Sequence, residues 1–127
     1  MTRYLLAHDL GTSGNKATLF SAEGALIQSV VYPYDTHYFN GTWVEQDAQD
    51  WWKAVCESTR ELLKKTEIQA DAIEAVSFSG QMMGCLCVDK NGIPLRPAII
   101  WADQRATEQS AQIDEKINQY DYYRIVG

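Results

Sequence analysis

Residues Asp9-Leu10-Gly11-Thr12-Ser13-Gly14-Asn15-Lys16 put an acid, glycines, hydroxyls and a lysine into one turn. Glycines let a backbone bend tightly and approach a ligand closely. Exposed turn amides, with the hydroxyls of Thr12 and Ser13, can cradle phosphate oxygens. Lys16 adds a point positive charge, and Asp9 can hold a hydrated magnesium ion, which takes one or two carboxylates plus phosphate oxygens. The stretch reads as a nucleotide-phosphate hairpin, with Gly11, Thr12, Ser13 and Lys16 on the phosphates and Asp9 on the metal. The same residues also fit an ordinary glycine-rich strand connection with a turn aspartate. Two other phosphate motifs are excluded. Lys16 follows Asn15 and leads into a strand pattern, unlike a P-loop lysine, and of the three glycines of a dinucleotide fingerprint only Gly11 and Gly14 are here.

Two further clusters carry candidate chemistry. Ser79-Gly80-Gln81-Met82-Met83-Gly84 follows an apolar, strand-like run, and loops at the carboxyl ends of strands bind ligands in open α/β sheets. Gln81 can donate to and accept from hydroxyls. Met82 and Met83 fit a core-filling role as well as a pocket lining, since methionine is an adaptable gap-filler. Ile100-Trp101-Ala102-Asp103-Gln104-Arg105 sets an indole beside an acid and a guanidinium. Trp101 can stack on an apolar sugar face while charged groups meet hydroxyls. The alternative makes Trp101 core, Asp103 a helix cap and Arg105 a solvated helix residue.

The elements that must position these residues follow from periodicity and turn chemistry. Residues 3–9 and 15–21 form a hairpin, and Ala22-Glu23-Gly24 turns the chain into a third strand from Ala25 to about Tyr34. The aromatic segment from His37 to Gln46 reads as irregular. Asp47 is an N-cap for a helix to about Thr66, with Trp52, Val55, Thr59, Leu62 and Leu63 on one face and Lys64 and Lys65 at the negative end of its dipole. A buried strand is expected over Ile73–Phe78, and short strands over Cys85–Val88 and Ala98–Trp101. A polar helix then runs from Asp103 or Arg105 to about Asn118, before an aromatic and apolar end over Tyr120–Gly127.

At 127 residues the chain is expected to form one domain rather than two. A net charge of −6 argues against a nucleic-acid partner, whose recognition relies on basic surface. No charged-then-apolar leader opens the sequence and no apolar run is long enough to span a bilayer, so a cytoplasmic location is expected and no membrane partner. Cys56, Cys85 and Cys87 show no disulfide spacing, and buried, inert thiols are expected for them.

The β-β-β-α-β order resembles the ribonuclease-H-like (actin-like ATPase) core, an α/β fold with a mixed sheet, here incomplete at the C-terminus. Four stretches together resemble the FGGY family of carbohydrate kinases, and most closely its xylulose-kinase branch. They are Asp9 to Lys16, Trp43-Val44-Glu45-Gln46-Asp47, Ser79 to Gly84, and Pro97 to Arg105. Their order and spacing match across residues 1–127, as the N-terminal part of the first kinase domain. The resemblance implies transfer of the γ-phosphoryl of MgATP to a sugar or polyol hydroxyl, a pentulose such as xylulose foremost. It implies Asp9 near the magnesium, directly or through water, and Thr12, Ser13 and Lys16 facing the β- and γ-phosphates. Gln81, Met82 and Met83 would line the sugar pocket, with Trp101 and Asp103 at or near it.

The family's general base is an aspartate later in the first domain, expected beyond Gly127, and its adenosine site lies in the second domain. The isolated 127 residues are therefore expected to be inactive, and the longer protein is a possible homodimer. Met83 stands where the xylulose-kinase branch usually has His, and Ala102 where it tends to have Asn. His8, beside Asp9, replaces a usual small or aliphatic residue and reads as structural. A non-catalytic sugar- or nucleotide-sensing module of the same fold is the main rival. A ribonuclease-H-type nuclease would need an acid where Ser79-Gly80 stands.

Overall fold

The computed structural model describes residues 3–126. β1 (Tyr4–Leu10), β2 (Gly14–Ser21) and β3 (Leu26–Pro33) form the expected antiparallel meander. After a small hairpin, β4 (His37–Phe39) and β5 (Trp43–Gln46), the chain enters α1 (Ala48–Thr66). It crosses the sheet and returns as β6 (Ile73–Gly80), parallel to β1, in the strand order β3-β2-β1-β6. This is the mixed sheet and β-β-β-α-β core of the actin-like ATPase fold.

Helix α1 starts at Asp47, whose carboxylate accepts the Gln49 amide at 2.8 Å and satisfies one of the donors that a first helical turn leaves free. It ends at Glu67, which takes the left-handed conformation, φ 57°. Its inward face is Ala54, Val55, Ser58 and Leu62, and it packs over β2 and β3. Leu62 meets Leu6, Ala17, Leu19 and Val30 in the core, with Tyr4, Ile68 and Ile73 around them. Trp52 is not on that face: it is exposed, and the neighbouring Trp51 points inward to bond Gln46.

Several expectations are corrected. The segment from His37 is a hairpin rather than irregular, turned by Asn40 and Gly41, both at positive φ. Strand β6 is not buried. It forms one edge of the sheet, α1 covers mainly the opposite half, and Val76 and Phe78 are exposed. Cys85–Val88 is not a strand, because it pairs only at Cys85 with Ile99 and at Val88 with Pro94. Proline has no N–H with which to continue a ladder. Cys85 and Cys87 are consequently exposed, and Cys56 is half-buried.

β7 (Ala98–Ile99) is shorter than expected and joins β5 in a second sheet, β4-β5-β7. The C-terminal residues fold as α2 (Thr107–Asp114) and α3 (Gln119–Val126), neither of which buries a residue. Asn118 accepts the amides of Tyr120 and Asp121, so it opens a second helix rather than closing the first. Among the described residues no helix is long and apolar enough to cross a membrane.

Candidate functional site: a cleft at the carboxyl ends of the parallel strands

Because β1 and β6 are parallel and in register to Leu10 and Gly80, the segments that leave them emerge side by side. The Gln81 amide donates to the Leu10 carbonyl at 2.8 Å and holds the two exits together. Between them lies a cleft of about 320 Å³, lined by Asp9, Gly11, Thr12, Gly80, Gln81, Met82, Met83 and Trp101. An apolar hollow of about 300 Å³ shares Gly80, Gln81 and Met83 with it and runs on past Trp51 and Leu86 to Ile100. A crevice at the carboxyl ends of strands is the usual ligand position in such sheets.

The turn from Gly11 to Ser13 is tied back by its carbonyls. The Tyr34 hydroxyl donates to the Gly11 carbonyl, the Gln46 carboxamide donates to the Thr12 carbonyl at 2.6 Å, and the Tyr34 amide donates to the Ser13 carbonyl at 3.3 Å. In a trans peptide the N–H points opposite to the C=O. Anchoring the first two carbonyls therefore turns the Thr12 and Ser13 amides away from the protein. Among the described residues neither amide has a hydrogen-bond acceptor. Two adjacent free amides in a tight turn form an anion-binding concavity. Tyr34 is held in its protonated, donating form: burial first, and the Asp9 charge second, push its pKa up to about 12.

The hairpin's stem is fixed from behind. His8 and Asn15 are buried on the helix side of the sheet, where the Asn15 side-chain amide donates to His8 Nδ1 at 3.0 Å and to Ser58 Oγ at 2.8 Å. Nδ1 is thus an acceptor, so the proton sits on Nε2, which faces the Thr59 hydroxyl at 3.3 Å. Burial lowers the pKa of His8, although the Asn15 hydrogen bond pulls the other way, and its ring stacks on Phe78. His8 is a structural histidine, as its lack of a second ligand suggested.

The candidate residues divide into two groups. Asp9, Gly11, Thr12, Gln81, Met82, Met83 and Trp101 come together around the one cleft. Trp101 is joined to the Gly11–Ser13 turn, with its indole N–H donating to Thr12 Oγ1 at 3.0 Å. Met82 and Met83 are exposed rather than core-filling, and Met83 takes a left-handed φ of 61°. Gln81 donates through Nε2 to Gln46 at 2.7 Å, whereas its Oε1 is buried without a partner.

Lys16, Ser13 and Asp103 do not line that cleft. Lys16 stands opposite Asp9 across the hairpin, and both line a hollow on the sheet face away from α1 with Ser77 and Ser79. Ser13 is exposed at the turn. The Asp103 side chain is only 3 % exposed and is engaged within the protein. It accepts the Val44 amide at 2.6 Å and the Arg105 guanidinium at 2.7 Å, and Arg105 holds its carboxyl well below the usual carboxylate range. Arg105 also pairs with Glu45 and lies 4.0 Å over the Trp43 ring, so this cluster locks the small sheet to the segment after Trp101.

Composition and periodicity gave no role to Tyr34, Gln46 or Trp51. The Trp43 to Asp47 stretch flagged Gln46, but its partners emerge only once β5 is placed beside the Gly11–Ser13 turn. Among the described residues no three His, Cys, Asp or Glu side chains converge as a metal centre. Among the described residues Asp9 is the only carboxylate lining the cleft. That donor set fits a magnesium ion shared with phosphate oxygens rather than one caged by protein, and the free amides of Thr12 and Ser13 fit the phosphates.

The sequence model for the FGGY family of carbohydrate kinases, N-terminal domain, matches residues 4–127. A xylulose kinase from Staphylococcus epidermidis is 40% identical over 111 residues, which are 87% of this chain and 22% of that protein. A glycerol kinase from Rippkaea orientalis is 36% identical over 113 residues, 88% of this chain and 23% of that protein. The crystal structure of a xyloylose (xylulose) kinase from Brucella ovis superposes with a TM-score of 0.85 at 32% identity, covering 90% of this chain and 24% of that one. The chain thus spans less than a quarter of the length of these relatives. With a family match over nearly all its residues and the same fold, the chain belongs to the FGGY family of carbohydrate kinases, of which it carries the N-terminal domain region.

Proposed function

We propose that these 127 residues are the N-terminal part of the first domain of a longer kinase that transfers the γ-phosphoryl group of MgATP to a hydroxyl of a sugar or polyol. Within that class we favour a pentulose such as xylulose, which the name of the Staphylococcus relative supports. The observation that carries the proposal is the turn at Gly11–Ser13. Its carbonyls are bound behind it, and its Thr12 and Ser13 amides are free beside the Asp9 carboxylate.

In this reading the Thr12 and Ser13 amides, with Lys16, hold the β- and γ-phosphates, and Asp9 holds the magnesium directly or through water. The ion supplies charge neutralisation to the phosphate oxygens. Gln81 Oε1 accepts a substrate hydroxyl, and the exposed Met82, Met83 and Trp101 side chains give the sugar an apolar wall. Asp103 supports this wall indirectly, by holding the segment after Trp101. Phosphoryl transfer is mostly positioning and charge stabilisation, with a base to take the hydroxyl proton. We assign that base, and the adenosine contacts, to chain beyond Gly127. The longer protein is placed in the cytoplasm, with MgATP as its phosphoryl donor.

The test is ADP release by the full-length protein with MgATP across ketopentoses, hexuloses, polyols and sugar acids. Turnover confined to one sugar class is expected, and none from the isolated 127 residues. Nucleotide binding without turnover on any sugar would overturn the kinase reading in favour of a sensing module.

A further inference from the structure

We infer that Gln46 is a positioning residue, locking the phosphate turn to the sugar-side loop and setting which face of the Gln81 carboxamide meets the substrate. Its use in catalysis rests on the kinase reading above; the coupling of the two loops does not. Gln46 is fully buried in β5, and all four hydrogen-bonding positions of its carboxamide are used. Nε2 donates to the Thr12 carbonyl at 2.6 Å and to Thr36 Oγ1 at 2.7 Å. Oε1 accepts from Trp51 Nε1 at 3.0 Å and from Gln81 Nε2 at 2.7 Å.

The orientation follows from the partners. An indole N–H can only donate, so Gln46 must turn its oxygen toward Trp51. A backbone carbonyl can only accept, so the Gln46 nitrogen must face Thr12. With its oxygen committed, Gln46 accepts the Gln81 amide group and leaves Gln81 Oε1 buried and unpaired. Trp51 thereby sets Gln46, and Gln46 sets Gln81. That leaves an unpaired acceptor within the Gln81 loop that lines the cleft, and such an atom favours a ligand donor, such as a hydroxyl, that reaches it. A site built to pair a hydroxyl discriminates strongly against analogues that lack it, because its own polar atom is then left unsatisfied.

Two substitutions separate the halves of the lock. Gln46→Glu keeps an acceptor for Trp51 and Gln81 but sets a carboxylate oxygen against the Thr12 carbonyl. Gln46→Leu removes both halves. In the full-length kinase, Gln46→Glu should raise KM for ATP or lower kcat by roughly ten- to a hundredfold, the scale of an ångström-sized misplacement. KM for the sugar should move less than about threefold, below one hydrogen bond's worth. Gln46→Leu should raise KM for both substrates. Variants of lower melting temperature whose folded fraction keeps wild-type kcat and both KM values would overturn the inference.

Amide hydrogen exchange on the full-length protein gives a readout that needs no substrate. Gln46→Glu should speed exchange of the Gly11 amide, which bonds the Gly14 carbonyl, and Gln46→Leu should speed exchange of both the Gly11 amide and the Gln81 amide, which bonds the Leu10 carbonyl. Unchanged exchange in both loops would overturn the coupling even if the protein proves to be a kinase. Faster exchange in a protein that phosphorylates no sugar would retain the coupling and reject the kinase reading.

Discussion

Asn15 is the point at which the hairpin is fastened to α1, and its truncation has a cost that can be worked from its contacts. Asn15→Ala deletes the donor to His8 Nδ1 and the donor to Ser58 Oγ, both in full burial. Each bond contributes about 1 kcal/mol net, and leaving the His8 nitrogen without a donor adds a desolvation cost of about 1–3 kcal/mol. Ser58 is not orphaned, because its hydroxyl still donates to the Val55 carbonyl at 3.2 Å. Loss of the unpaired Asn15 Oδ1 returns part of the total. The balance is a destabilisation of about 2–3 kcal/mol, against the roughly 5–15 kcal/mol that holds a typical domain folded. Urea unfolding at pH 8, where His8 is neutral, followed by tryptophan fluorescence, measures it as a lowered midpoint at constant slope. In a His8→Leu background the same substitution should cost about 2 kcal/mol less, since both the bond and the orphaned His8 nitrogen are gone. A cost under about 0.5 kcal/mol, or an equal cost in both backgrounds, would refute the reasoning.

His8 gives the chain a pH dependence of known sign. Its folded pKa lies below the ordinary 6.5, so the unfolded chain binds the proton first, and stability should fall as pH drops from 6.5 toward the lowered value. His8→Leu should flatten that stretch of a stability-against-pH curve. Tyr34 acts at the other end of the scale. Its pKa is raised from 10 to about 12, so its contribution is complete below pH 10 and lost as pH climbs toward 12. Ultraviolet titration of the phenolate should show one late-titrating tyrosine that disappears in Tyr34→Phe. Gly14→Ala would set a methyl 2.8 Å from the Tyr32 carbonyl oxygen and 3.0 Å from Pro33 Cα, both backbone atoms that cannot swing aside. Forcing β2 and β3 apart should lower stability by about 1–3 kcal/mol, read by thermal or urea unfolding.

Where local chemistry decides the structure, the sequence was legible. Asp47 capping α1, the turns at Gly11–Ser13 and Ala22–Gly24, and the alternation along β1 and β2 each act within a few residues. Choosing between Trp51 and Trp52 required the position of Gln46, because adjacent residues on a helix point about 100° apart and either fits an amphipathic face. The burial of β6 depends on what packs on its outer side, which its own apolar residues cannot report. Cys85–Val88 has strand composition, but its only available partner is interrupted by Pro94 and Pro97. At the cleft, the Gly11–Ser13 turn and the Gln81 loop could be singled out from motifs, and the structure brings them side by side. The tie-backs from Tyr34 and Gln46, and the engagement of Asp103 by the Val44 amide, join residues 23 to 59 positions apart.

The most direct test of the account is a structure of the full-length protein with MgADP and its sugar bound. The account predicts phosphate oxygens on the Thr12 and Ser13 amides, with the carbonyls of Gly11 and Thr12 still held by Tyr34 and Gln46, and a sugar hydroxyl on Gln81 Oε1. Phosphates seated away from that turn, or Gln81 meeting the sugar through its nitrogen, would contradict it.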